Sequence, residues 1–173
     1  GIHGLASGRF DEGASTITQQ LLKNSVFTGW MNESSLIDRF RRKFQEQYLA
    51  LQLEKKVSKE QILETYLNLL PLGAVNGVGA GANYFFGKDV EDLTLAECAY
   101  LASITKGPSL YSPYLHPENA RRRQQTVLYK MYEQGYITAE EYKQAAAEEV
   151  NFHSSIKYEA VQDYYTDLLI ENV

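Results

Sequence analysis

The sequence predicts a mainly α fold. Helix-start signals recur along the chain, no stretch sustains the period-2 alternation of a strand, and all four prolines (Pro71, Pro108, Pro113, Pro117) lie between 71 and 117, which leaves the flanks helix-friendly. With 173 residues, 44% of them apolar, the chain is long enough for one ordinary hydrophobic core. Lys and Arg number 17 against 22 Asp and Glu, and the net charge of −5 argues against a surface shaped throughout for nucleic acid. Any anion site must be local. No stretch reaches the roughly 18 uncharged apolar residues of a membrane span, and the single Cys98 excludes an internal disulfide.

The helix starts share one grammar, Ser or Thr followed three residues later by Gln or Glu: Thr16 with Gln19, Ser58 with Gln61, Thr94 with Glu97 and Thr138 with Glu141. Val57 with Ile62, Leu93 with Cys98 and Ile137 with Tyr142 stand where a hydrophobic staple adds a second mark. Pro117 suits a first helical position, and Gly135 suits the stop of the same helix. These signals predict helices near 15–25, 34–56, 58–70, 93–105, 117–134, 138–149 and 158–171. Five glycines (Gly73, Gly77, Gly79, Gly81, Gly87) crowd the segment 71–92, which reads as a functional loop between two helical lobes.

Two polar faces stand out. On a wheel of about 100° per residue, the second helix gathers Ile37, Phe40, Phe44, Tyr48 and Leu51 into a stripe that predicts its core side. Arg39, Arg42, Lys43 and Glu46 fall opposite, three cations around one carboxylate. The commonplace reading of such a face is solvated ion pairs, but the surplus positive charge suits a phosphate or pyrophosphate. The first helix sets Ile17 and Leu21 against Thr16, Gln19, Gln20 and Lys23, a donor-rich face whose N-terminal Ser15 and Thr16 could hold an anion or a sugar.

The run Gly13-Ala14-Ser15-Thr16-Ile17-Thr18-Gln19-Gln20-Leu21-Leu22-Lys23-Asn24 closely resembles the second motif of the family-51 peptidoglycan glycosyltransferases, the glycan-polymerising domains of class A penicillin-binding proteins and monofunctional transglycosylases. Arg42-Lys43-Phe44-Gln45-Glu46 resembles the third motif. Glu64 to Asn68 and Gly77 to Lys88 look like the fourth, and Arg123 with Val127-Leu128 the fifth. The order is colinear from about 13 to 150.

The resemblance implies a lysozyme-like, mainly helical fold with a membrane-facing jaw lobe, and lipid II as substrate at the outer face of the bacterial cytoplasmic membrane, with an upstream helix as anchor. The reaction it implies is inverting transfer: an acceptor 4-hydroxyl attacks the anomeric carbon of the growing glycan chain and expels undecaprenyl pyrophosphate. Carried over residue by residue, Lys23, Arg42 and Glu46 are the catalytic group, Glu46 acting by orienting the cations or through a divalent ion. Ser15, Thr16, Gln19, Gln20, Asn24, Lys43, Asn68 and Arg123 bind substrate. No cofactor is called for by the residues themselves; a divalent cation, Mg or Mn, is the ion the resemblance leaves open. Partners implied are lipid II, the glycan chain, the membrane surface and phosphoglycolipid inhibitors of the moenomycin type, with no nucleic acid.

The family's first motif, which carries the general-base Glu, is expected ahead of residue 13 and is not found in Gly1 to Ser7; Asp11 and Glu12 sit in the wrong context to replace it. The domain is expected to fill 1–150, with 151–173 opening a linker toward a C-terminal transpeptidase domain. Phe27, Trp30 and Met31 are expected to form an apolar edge at the bilayer. Two other functions compete. A lysozyme-like hydrolase would use water as acceptor but needs no pyrophosphate clamp, and a non-catalytic helical domain would only bind. Ser103-Ile104-Thr105-Lys106 matches an SxxK pattern, yet no KTG or SxN follows, so Ser103 reads as a helix end. His3, His116 and His153 show no metal-ligand spacing.

Overall fold

The computed structural model describes residues 15–27 and 35–153. It contains seven α-helices among the described residues: α1 (Ile17–Ser25), α2 (Leu36–Glu54), α3 (Lys59–Leu69), α4 (Val78–Phe86), α5 (Leu95–Ile104), α6 (Pro117–Glu133) and α7 (Ala139–Ala147), with a 3-10 turn at Val90–Asp92. The only β-pairing among them is one isolated bridge, Pro71 to Asn76. The chain divides into two compact units, Gly1–Leu70 and Pro71–Val173.

All four expected capping boxes form. Thr16, Ser58, Thr94 and Thr138 each accept a hydrogen bond from the backbone N–H three residues on, and the Gln or Glu there accepts one back from the cap's own N–H. Pro117 opens α6 with its missing N–H at a position that needs none, and Gly135 takes φ 76° directly after the cap of that helix. The helix expected at 158–171 lies outside the described residues.

The segment 71–92 is not simply a loop, because α4 occupies its middle. Gly77 (φ 85°) starts α4 and Gly87 (φ 65°, ψ 28°) ends it in the left-handed region, so these two glycines punctuate a helix. Inside α4 the helix penalty of Gly79 and Gly81, about 1 kcal/mol each, is offset by burial of Ala82, Phe85 and Phe86. Phe85 and Phe86 join Tyr100 and Phe152 in a cluster of edge-on and tilted rings with centroids 4.8 to 6.3 Å apart.

A second correction concerns α2. Its apolar stripe is not core: Ile37, Phe40, Phe44, Tyr48 and Leu51 are all exposed, whereas Glu46 and Ala50 are the buried residues of this helix. The helix packs with its polar side against α1, because the carboxylate there is matched by its own neighbours (below). On α1 the same reversal is milder. Leu21, Leu22 and Thr18 are buried while Ile17 is exposed, and the Thr18 hydroxyl donates to Glu54 Oε1 at 2.6 Å. α1 also packs against α3.

From Pro71 onward, α5 lies against α4, α6 and α7. Small residues make this close approach possible: Ala96 and Ala99 of α5 and Ala145 of α7 meet Leu128 of α6 in one buried cluster. The amide of Gln124, buried in α6, donates to the Ala96 carbonyl at 2.8 Å, so its polar group is satisfied inside the core. Glu97 combines two tasks, closing the Thr94 cap and accepting both Lys88 Nζ contacts at 2.8 and 3.0 Å. Ser103 is fully buried and donates to the Tyr100 carbonyl at 2.7 Å, which is the expected helix-end role and leaves no nucleophile there.

Gly81 is the tightest contact of α4, since a Cβ there would overlap Leu72 Cδ1, itself inaccessible to solvent. Gly81→Ala should cost about 1–2 kcal/mol, the overpacking exceeding the gain in helix propensity. Leu72→Ala alone should cost about 2–5 kcal/mol. Chemical denaturation of the double variant should give less than the sum, because each change relieves the other.

Candidate functional site

The unit that ends at Leu70 brings most of the sequence-predicted site residues together around one carboxylate. Glu46, in the middle of α2, is 1% exposed. A buried carboxylate costs several kcal/mol unless paired and hydrogen-bonded, and the helix supplies both partners one turn upstream. Arg42 pairs with Oε1, and Lys43 Nζ lies 2.8 Å from Oε2. Spacings of four and three residues put all three on one face. Arg42 is itself mostly buried, whereas the Lys43 side chain remains half exposed.

Lys43 also reaches across to the segment just before α1, donating to Ser15 Oγ at 2.9 Å. Ser15 is therefore held between two elements, as its carbonyl accepts from Gln20 Nε2 at 3.3 Å. Gln20 in turn accepts from the Tyr66 hydroxyl of α3 at 3.3 Å. Burial raises the Tyr66 pKa, so this phenol stays protonated and acts as a donor. Tyr66 is the one member of this network that sequence reasoning left out of the site; it stood inside the run Glu64 to Asn68, but no helix-wheel argument on α3 alone could link it to α1.

Lys23, in the last turn of α1, belongs to the same electrostatic group. Its pKa is lowered, chiefly by burial and next by Lys43, with Arg42 acting the same way and Glu46 opposing them. Arg42, Lys43 and Lys23 thus share the surroundings of Glu46, a grouping suited to an anionic ligand.

The remaining expected residues divide. Thr16 and Gln19 serve the cap of α1, the Thr16 Oγ1 accepting from Gln19 N and the Gln19 carbonyl oxygen accepting from Thr16 N, both at 3.2 Å. That leaves the amide NH2 of Gln19 as its donor toward a ligand. Asn24 is half-buried near the end of α1, and Asn68 is exposed on α3. Arg123 sits in the other unit, on α6, half-buried, with its guanidinium 6.0 Å over the Tyr111 ring. Residues 1–14, where the general base is expected, and Trp30 and Met31 lie outside the described residues; Phe27 is half-buried.

The donor set around Glu46 does not suit a divalent cation. Both oxygens already accept from cationic groups, and Lys23 adds a third positive charge nearby. Among the described residues, no three His, Cys, Asp or Glu side chains are grouped so as to hold a metal.

Comparison with known proteins bears on this geometry. Residues 2–132 match the family model described as Transglycosylase. Penicillin-binding protein 1A of Clostridium perfringens is 50% identical over 143 residues, covering 79% of this chain and 20% of the relative. Penicillin-binding protein 1F of Bacillus subtilis is 43% identical over 169 residues, covering 96% of this chain and 22% of the relative. The crystal structure of penicillin-binding protein 1A from Haemophilus influenzae aligns with a TM-score of 0.54 at 27% identity, over 82% of this chain and 17% of that one. The chain thus spans only about a fifth of the length of these relatives. With the motifs of α1 and α2 assembled around Glu46 and the match running through most of the sequence, the chain belongs to the transglycosylase family.

Proposed function

We propose that this chain polymerises lipid II into β-1,4 glycan strands, with inversion and release of undecaprenyl pyrophosphate. The observation that carries the reading is the clustering of Arg42, Lys43 and Lys23 around buried Glu46. In the proposed step the acceptor 4-hydroxyl forms the new bond to the anomeric carbon of the growing chain as the bond from that carbon to the pyrophosphate oxygen breaks. The hydroxyl proton passes to a carboxylate base expected ahead of residue 13. Negative charge builds on the departing pyrophosphate, and Arg42, Lys43 and Lys23 stand ready for it without rearranging. Glu46 fixes the first two in place rather than reacting itself. Ser15, Gln19 and Gln20 position the donor sugar, and a phosphoglycolipid of the moenomycin type would compete for the same cations.

The substrate is a membrane lipid, and the exposed stripe of α2 supports contact with a bilayer. Phe40 and Phe44 are 59% and 71% exposed, flanked on the same helix by exposed Arg39 and Arg41, an arrangement suited to lying in a headgroup layer. Among the described residues no helix is long and apolar enough to cross a membrane. We place the reaction at the outer face of the bacterial cytoplasmic membrane, with anchoring left to sequence outside this chain.

Incubating the longest natural form of the protein with lipid II and resolving the products by size should give long glycan strands and no cleavage of finished peptidoglycan. Cleavage without polymerisation would mean the hydrolase instead. Glu46→Gln should lower polymerisation by about 100-fold or more and cost about 3–5 kcal/mol in thermal stability, because two cations lose their shared counter-charge. Turnover unchanged at a temperature where circular dichroism is native would sink the assigned role.

The Lys23 pKa yields a pH prediction. Protonated Lys23 binds the anion, and its pKa lies below the ordinary lysine value of 10.5. Affinity for inorganic pyrophosphate should therefore begin to fall at lower pH than an ordinary lysine would allow, and Lys23→Arg should move the fall upward. For the fold the sign is reversed: a lowered lysine pKa makes the protonated form a burden that is relieved as pH rises toward 10.5. Titration calorimetry across this range checks the first, and thermal melts check the second.

Phe40→Ser with Phe44→Ser should reduce sedimentation with anionic lipid vesicles several-fold while leaving the melting temperature nearly unchanged, since both rings are exposed. A large loss of stability would show the rings to be covered by protein.

A further inference from the structure

The unit beginning at Pro71 carries a second concentration of positive charge, on α6. Arg121, Arg122 and Arg123 are consecutive, and their surroundings differ. Arg121 donates to the carbonyls of Glu148 and Ala146, both at 3.1 Å, and so ties α6 to the end of α7. Arg123 has no such task. Its Nε is buried without a hydrogen-bond partner, while the guanidinium is held over the Tyr111 ring. A buried N–H left unsatisfied is costly, and folded proteins seldom keep one without a use for it.

Arg123 borders a hollow of about 270 Å³ whose other walls are Leu110, Tyr111, Asn119, Arg122 and Thr126. Asn119, Arg122, Arg123 and Thr126 recur at spacings of three and four residues, so α6 alone presents two guanidinium groups, an amide and a hydroxyl to one space. Among the described residues, no carboxylate lines it. Tyr111 and Leu110 add apolar surface to the lining, Leu110 being 53% exposed. The Arg123 guanidinium lies 6.0 Å from the centroid of the Tyr111 ring, and its planar fork matches the two oxygens of a carboxylate. A bare phosphate would make no use of the apolar surface, whereas the carbon skeleton of an amino acid would.

We propose that this hollow is a carboxylate subsite, which takes an acid group of the peptide substituents carried by the glycan. The proposal rests on the peptidoglycan reading above, and it adds a second anion site, distinct in residues from the cation cluster at Glu46. Arg123 is the primary fork, Arg122 adds charge at the rim, and Asn119 and Thr126 hydrogen-bond the adjoining amide.

The test uses the longest natural form of the protein and two preparations of glycan strands, one bearing its peptides and one stripped of them by an amidase and then capped as the methylamide at the lactyl carboxylates that this cleavage exposes. The wild type should bind the peptide-bearing strands about tenfold more tightly, the size expected for one charge-assisted bidentate contact. Arg123→Gln should remove that preference, leaving peptide-bearing and stripped strands bound equally by the variant, and Arg123→Lys should restore it only in part. Arg122→Gln, a change at an exposed side chain, should halve or further reduce the preference and serves if Arg123→Gln fails to fold. Equal binding of the two strands by the wild type, binding of neither, or a preference that survives both glutamine variants overturns the proposal. Competition by inorganic phosphate but not by N-acetyl-D-alanine would assign the hollow to phosphate and overturn it as well. Polymerisation of lipid II, measured alongside, separates the two readings: strands formed without any peptide preference refute the subsite alone, and no strands formed refutes the proposed function.

Discussion

The buried carboxylate of Glu46 is the constraint on which the first half of the molecule is arranged. A charge with 1% exposure tolerates no unpaired state, so Arg42 and Lys43 must stand where they do, and the helical spacing that puts them there is dictated by the sequence of α2. Lys43 then extends the arrangement to Ser15, Ser15 to Gln20, and Gln20 to Tyr66, so that three helices are cross-linked by one polar chain. Such a network is stable only when every member is satisfied. Its cations are the groups that the proposed anionic leaving group would meet.

The same constraint accounts for the orientation of α2. An amphipathic helix normally buries its apolar stripe, each large side chain contributing about 1.5–3 kcal/mol. Here five such residues forgo that gain. Turning the helix over would bring Phe40 and Phe44 inward and expose Glu46 with its cations, dispersing the cluster into water, where each ion pair would contribute about 1 kcal/mol or less. A protein that leaves this much apolar surface in contact with solvent has a use for it, and the proposed lipid-embedded substrate would supply one.

The second unit is built on ordinary principles and shows by contrast how unusual the first is. Its core is made by small residues on α5 and α7 packed around Leu128, by rings around Tyr100, and by polar side chains whose partners are all nearby. Against that background the unpartnered Nε of Arg123 is an exception, as the depressed Lys23 is in the first unit.

Local structure was determined by the sequence alone. The four capping boxes, the proline at the start of α6 and the glycine after its end depend on contacts within four residues, and all were legible before any tertiary contact was known. The grouping of Arg42, Lys43 and Glu46 was legible for the same reason, as helical periodicity fixes a shared face. α4 was hidden because its glycines outweigh its other residues in any local reading, and only packing of Phe85 and Phe86 decides in favour of a helix. Which face of α2 would be buried, and that Tyr66 would complete the network from α3, depended on partners distant in sequence. Periodicity establishes that a helix has two faces; the tertiary structure decides which of them meets the protein, because that choice weighs a paired buried charge against apolar area, and the balance is set by the neighbours.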